Sequence, residues 1–183
     1  MIIWIVIAFV TVLCLWGICS YNRLVTARND VRNAWSQIDV QLKRRYDLIP
    51  SLIAAVKGYL DYEKGVLESV VRARAEAMTL ADLQKKAMAE DSLSGSLRNL
   101  FVVIESYPAL KASDNVMRLQ EDLVATENRI AFARQLYNDL VANYQIRCEI
   151  FPDVLLAQTF AFQPFEYFRA DAIEKATSSA KLS

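Results

Sequence analysis

Residues 1–22, MIIWIVIAFVTVLCLWGICSYN, carry no charged side chain, and no loop signal separates them from the long periodic stretch that follows. As a helix, Ile2 to Ser20 spans roughly 28 Å at ~1.5 Å per residue, close to a bilayer core of ~30 Å. Trp4 and Trp16 lie near the two ends, with Tyr21 just beyond, where amphipathic rings favour the membrane–water interface. A core helix would show a polar face, and none exists. A cleaved signal peptide would carry a basic leading region and a small-residue cleavage site; MIIW offers only its α-amine. Lipid attachment at Cys19 would want small residues before it, which Trp16-Gly17-Ile18 do not supply. Residues 1–20 are therefore read as a transmembrane anchor. Nothing basic precedes the span, whereas Arg23, Arg28 and Arg32 follow it against Asp30 alone. The positive side stays in the cytoplasm, which predicts the N-terminus outside and the domain inside.

Across 21–60, apolar residues recur at Leu24, Ala27, Val31, Ala34/Trp35, Ile38, Leu42, Tyr46, Ile49, Leu52/Ile53, Val56 and Leu60. Steps of three and four place them on one stripe of a helix continuous with the anchor. Pro50 removes one backbone hydrogen bond and crowds the carbonyl of Tyr46. The stripe runs through it, so a kink at 46–50 is expected rather than an end. The end is placed near Gly58, a left-handed cap.

Residues 61–90 predict a second helix, with Asp61 as N-cap. DSLSGS at 91–96 reads as a turn. A short third helix through Leu97, Leu100/Phe101, Ile104 and Tyr107 follows, closed by Pro108. Ser113 or Asp114 caps a fourth, whose stripe is Val116, Leu119, Leu123, Thr126, Ile130, Ala133, Tyr137, Leu140, Tyr144, Cys148 and Phe151. Its period suits a coiled-coil-like seam with the first helix. Arg118 and Asp122 are candidate surface partners. Phe151-Pro152 ends the helix. The fold class is all-α: an N-terminal transmembrane helix continuing into an antiparallel, up-down bundle of about four helices, plus a short aromatic C-terminal segment. The bundle domain takes 21–168, and 169–183 is expected to be a disordered tail. Helix parity returns the aromatic segment to the bilayer. Phe160, Phe162, Phe165 and Phe168 then either cap the base of the bundle or meet lipid or a partner.

Basic and acidic residues balance at 21 each, so no global field points to nucleic acid. There is no histidine, which removes the commonest general base and metal ligand. Cys14, Cys19 and Cys148 form no CxxC pair. Gln37, Asp39 and Gln41 on the first helix, and Thr126, Glu127, Asn128 and Arg129 on the fourth, are polar groups set among the apolar stripes. Interhelical hydrogen bonds that fix register explain them best; an all-carboxylate magnesium or calcium site is the rival. Trp35 is expected in the seam beside Ala133 or Leu136. Lys43, Arg44 and Arg45 read as a solvated face, or as a contact with anionic lipid or protein. Cys148 falls on the core stripe, an inert thiol.

The stretches YN at 21–22, RN at 28–29, AWSQIDVQLKRRYDLIP at 34–50, VKGY at 56–59, LQEDLVATENRIAFARQLYN at 119–138 and FP at 151–152 resemble the LemA family. The resemblance covers most of 21–168. It implies an anchor followed by an antiparallel helical bundle, in a membrane-associated bacterial group with no agreed catalytic residues and no cofactor. One branch of that group resembles magnetosome membrane proteins. Family association also suggests an envelope protease or a TPM-domain membrane protein as partner. Many relatives carry a lipobox cysteine, and this chain departs from them. The expectation is a scaffold or adaptor of the bacterial inner membrane, touching membrane lipid and assembling as a homo-oligomer. The alternatives are a lipid-binding or membrane-remodelling module and a carboxylate-based enzyme.

Overall fold

The computed structural model describes residues 1–60 and 62–168. The expected N-cap Asp61 and the tail 169–183 lie outside them. Among the described residues there are six helices and no strand: α1 Ile2–Val56, α2 Lys64–Thr79, α3 Leu83–Glu105, α4 Pro108–Lys111, α5 Asp114–Glu149 and α6 Asp153–Thr159. The all-α class expected from periodicity holds.

α1 opens with a window of mean hydropathy 2.7, none of it buried, which has the length and composition of a membrane anchor. Pro50 sits inside this helix without ending it. The end at Val56 is not the left-handed glycine expected at Gly58, since no described glycine has positive φ. Instead the Tyr59 and Leu60 amides both donate to the Val56 carbonyl, at 3.0 and 3.2 Å, and the right-handed turn swings Leu60 into the core.

The break expected at 91–96 lies at 80–82. Leu80 and Asp82 are extended, and Asp82 caps α3 by accepting from the Lys85 amide at 2.9 Å. α3 then runs straight through DSLSGS, so the third helix is 23 residues long, not short. The serines and Gly95 favour a turn locally, but Leu93, Leu97, Leu100 and Ile104 all bury, and that continuous face outweighs the propensity. Pro108 is the first residue of α4, where its missing N–H costs nothing. Ser113 occupies the cap position of α5, its carbonyl accepting from the Met117 amide. Past Phe151-Pro152, α6 is a helix that the aromatic segment did not announce.

The chain divides into two compact units, and α1 and α5 contribute to both. The first comprises Met1–Ile38 and Ala133–Tyr167. Its core is Leu24, Val31, Ala34 and Ile38 of α1 against Tyr137, Val141 and Tyr144 of α5. Val141 is fully buried there. The second unit is Asp39–Phe132 joined by Phe168. Leu42, Ile49, Leu52 and Val56 of α1 form its core with Leu67 and Val70 of α2, the α3 leucines, and Val116, Leu123 and Ile130 of α5. In the first unit, rising numbers on α1 meet falling numbers on α6 and α5, as an antiparallel arrangement requires: Ser20 with Asp153 and Trp35 with Tyr137. In the second, α1 meets α5 through Arg44 with Asp122 and Arg45 with Glu127.

Candidate functional site

Two arrangements gather the polar and aromatic residues singled out in the sequence. The first lies inside the second unit. Arg45 falls on the buried line Leu42–Arg45/Tyr46–Ile49 of α1, so its guanidinium points inward and is only 1% exposed. It is not part of a solvated basic face. Its Nη1 lies 3.3 Å from Glu90 of α3 and 3.1 Å from Glu127 of α5, and its Nη2 donates to Ser94 Oγ at 2.7 Å. The Ser94 hydroxyl is shared between the Glu90 carbonyl and the Glu127 carboxylate. The Tyr46 hydroxyl donates to the other oxygen of Glu90. Burial, and then this bond to a carboxylate, raise the Tyr46 pKa well above the ordinary tyrosine value, so the phenol keeps its proton.

One guanidinium thus lies between two carboxylates, with a serine and a tyrosine completing the shell. A buried charge is tolerable only when paired and hydrogen-bonded in this way. The groups satisfy one another, so the arrangement fixes the register of three helices. A recess of about 230 Å³ opens beside it, lined by Leu97, Phe101, Leu123 and Glu127 among others. That is below the ~300 Å³ at which ligand pockets usually begin. Glu90 was missed from sequence because the expected break at 91–96 hid its place on the α3 stripe. Read through that break, the line Ala87–Glu90–Leu93/Ser94–Leu97 carries one acid on an apolar face, which is the signal.

The other polar candidates do not join this cluster in the seam. Asp39 pairs at the surface with Lys86 at 3.0 Å. Arg44 pairs with Asp122 at 3.2 Å, in place of the Arg118 partner expected for Asp122. Gln37, Asn128 and Arg129 face solvent, and Gln41 is half-buried with its Oε1 unpartnered. Thr126 is buried and turns its hydroxyl back to the Asp122 carbonyl, 2.7 Å away. Register therefore rests on Arg45, Glu90 and Glu127, not on the amides.

The second arrangement, in the first unit, is aromatic. α6 ends in a Schellman turn: the Phe162 amide reaches back to the Ala157 carbonyl at 2.9 Å and the Ala161 amide to Gln158 at 3.2 Å. Ala161, at φ 52°, takes the left-handed place that glycine usually holds. The turn brings Phe160 and Phe162 onto Tyr21, with ring centroids 4.9 and 5.9 Å away and edge-to-face. Arg28 lies over the Phe162 ring at 5.2 Å. The segment beyond runs antiparallel along α5. The Tyr144 hydroxyl donates to the Gln163 carbonyl at 2.9 Å, Gln145 to Phe165 at 2.8 Å, and the Tyr137 hydroxyl to Glu166 at 2.9 Å. Tyr144 and Gln145 stand seven and eight residues beyond Tyr137, two turns along the same side of α5. Phe165 packs on Tyr144 at 5.3 Å, and Phe168 is buried in the second unit.

Trp35 is half-buried and meets Tyr137 edge-to-face at 5.7 Å, one residue beyond the expected Leu136. Cys148 is half-buried, and burial pushes its thiol pKa up, away from nucleophilic character.

The sequence is 26% identical to magnetosome protein MamQ 2 of Paramagnetospirillum magneticum, covering 90% of this chain and 68% of that one. It is 24% identical to magnetosome protein MamQ of Magnetospirillum gryphiswaldense, over 88% and 68%. It is 26% identical to protein LemA of Metamycoplasma hominis, over 84% and 71%. The LemA family model matches residues 34–181, from the seam tryptophan's turn of α1 through α5 and the strapped aromatic segment. With that match across the helices that build both arrangements, the chain belongs to the LemA family.

Proposed function

We propose that the protein is a membrane-anchored helical scaffold or adaptor of the bacterial inner membrane, working by assembly and protein contacts rather than catalysis. The observation that carries this reading is the apolar surface of the second unit. Val40 is 63% exposed, Val124 50% and Phe132 69%, although each belongs to a helix whose other face is fully packed. Large apolar side chains left in solvent on both α1 and α5 of one unit mark a contact surface. In the same unit Arg45, Glu90 and Glu127 are turned onto one another, which suits a rigid part better than a reacting one. Membrane association is in keeping with the apolar start of α1.

The favoured partner is a second copy. Tethering copies in one bilayer raises their effective concentration, so contacts weak in solution suffice to assemble them. Mass measurement of the detergent-solubilised full chain over a range of concentrations tests the reading. Oligomers that dissociate on dilution, and that Val40→Glu weakens, are the expected result. A native chain that stays monomeric throughout overturns self-assembly and turns the search to a heterologous partner, an envelope protease or TPM-domain protein among them.

A further inference from the structure

We propose that the corner between α5 and α6 is a second membrane contact, seated in the headgroup–acyl boundary of the bilayer that holds the anchor. Two ties set its level. Ser20, the last residue of the apolar span, has its hydroxyl buried on the Asp153 carboxylate at the start of α6. Tyr21, the next residue, packs on Phe160 just past the end of α6. Both ends of α6 are therefore held beside the point where α1 leaves the apolar span.

At that level the corner turns its apolar side chains outward. Ile146 and Ile150 are one turn apart and exposed, with the Ile150 amide on the Ile146 carbonyl. Phe151 is 75% exposed, and Leu155, four residues on, is 54% exposed. Phe160 is 56% exposed even with Tyr21 against it. Asp153 of the same short stretch is held by Ser20, so its orientation is set from within the unit. A water-facing corner would gain nothing from this pattern. A corner continuous with a lipid-facing helix does, because removing apolar side chains from water is favourable and such elements settle about 5–10 Å into the boundary. Arg23 and Arg147, both exposed and lining one recess, suit anionic headgroups.

This inference rests on the anchor reading of residues 1–20 and is independent of self-assembly. The test uses the full chain with its three cysteines replaced by serine, reconstituted into phosphatidylcholine–phosphatidylglycerol vesicles. Single nitroxide labels at Leu155→Cys and Phe151→Cys are compared with Val10→Cys in the span and Asn33→Cys on the exposed face of α1. All four side chains are exposed, so no core is disturbed. The expected result is that labels at 155 and 151 collide with dissolved oxygen more than with a water-soluble nickel chelate, as at 10 and unlike 33. Nickel access at 155 and 151 equal to that at 33, with 10 in lipid, overturns the second contact and leaves the anchor standing. Labels at 155 and 151 shielded from both reagents overturn it too, because protein then covers the corner. A label at 10 open to nickel removes the anchor and the inference together.

Discussion

Arg74 of α2 donates its Nε to the backbone carbonyl of Tyr46 at 2.8 Å. That carbonyl is the one Pro50 deprives of its helical donor. A side chain from another helix replaces the lost N–H, which is how α1 carries proline without ending. Arg74→Met should therefore destabilise the chain by about 1 kcal/mol, the lower end of the cost of an unsatisfied carbonyl, since this one is only part-buried. In a Pro50→Ala background the helical N–H returns, and the same substitution should cost much less. Chemical unfolding of the four variants followed by circular dichroism gives the coupling. Equal cost in both backgrounds would show that Arg74 acts elsewhere.

The Arg45 cluster makes a sharper prediction. Arg45→Met leaves Glu90 buried and without its guanidinium, and removal of one partner of a buried pair costs about 3–5 kcal/mol. Adding Glu90→Gln removes the stranded charge, so the double variant should be more stable than Arg45→Met alone. If the two losses simply add, the cluster is not a coupled unit.

The α1 stripe, the α5 stripe and their antiparallel pairing were legible because three- and four-residue steps persist over many turns. What escaped was decided by contacts distant in sequence. Asp82 was read through as mid-helix because Leu80, Leu83 and Ala87 continue the stripe across it. DSLSGS was read as a turn because its serines and glycine are turn formers, and only burial of Leu93 and Leu97 keeps it helical. Arg45 sits in a run of three basic residues that reads as solvated, though its spacing from Leu42 and Ile49 points inward. The stop after α6 had no glycine to announce it, since Ala161 takes the left-handed turn itself. The strapping of 163–166 depends on backbone carbonyls, which carry no sequence signature at all.

Trp35 and Tyr137 offer a test of the seam within the first unit. The indole is only half-buried, so Trp35→Ala should cost less than the ~3–5 kcal/mol of a fully buried aromatic. The edge-to-face pair should appear as a coupling of about 0.5–1.5 kcal/mol in a cycle of Trp35→Leu and Tyr137→Leu. A coupling near zero would reduce the contact to simple apolar cover.

High pH should unfold the chain through its tyrosines. Burial first, then the bond with Cys148, push the Tyr144 pKa from 10.0 to about 12. Burial first, then Glu166, raise that of Tyr137. Below pH 10 both folded and unfolded chains hold these protons, and the full stability is present. Above it the unfolded chain loses them first, so stability falls as pH rises toward about 12. Urea midpoints measured across that window should drop, and Tyr144→Phe should make the drop shallower. A flat profile would mean these phenols are open to solvent.

Orientation in the membrane can be read from a reporter fused after Ser183. Arg23 and Arg32 are exposed just past the span, and Arg28 keeps its guanidinium over Phe162, in the same few turns. The positive flank is kept on the cytoplasmic side, so these three should hold the domain in the cytoplasm. The fusion should then show cytoplasmic reporter activity. Arg23→Gln with Arg32→Gln removes the exposed pair, and two lysines placed ahead of Ile2 oppose the remaining charge. That combination should move part of the population to the opposite orientation. Arg28→Gln alone should also loosen the Phe162 contact, so its effect on topology must be read beside the unfolding midpoint. External reporter activity from the native chain would reverse the orientation while leaving both helical units as described, because no contact within either depends on which side of the bilayer it occupies.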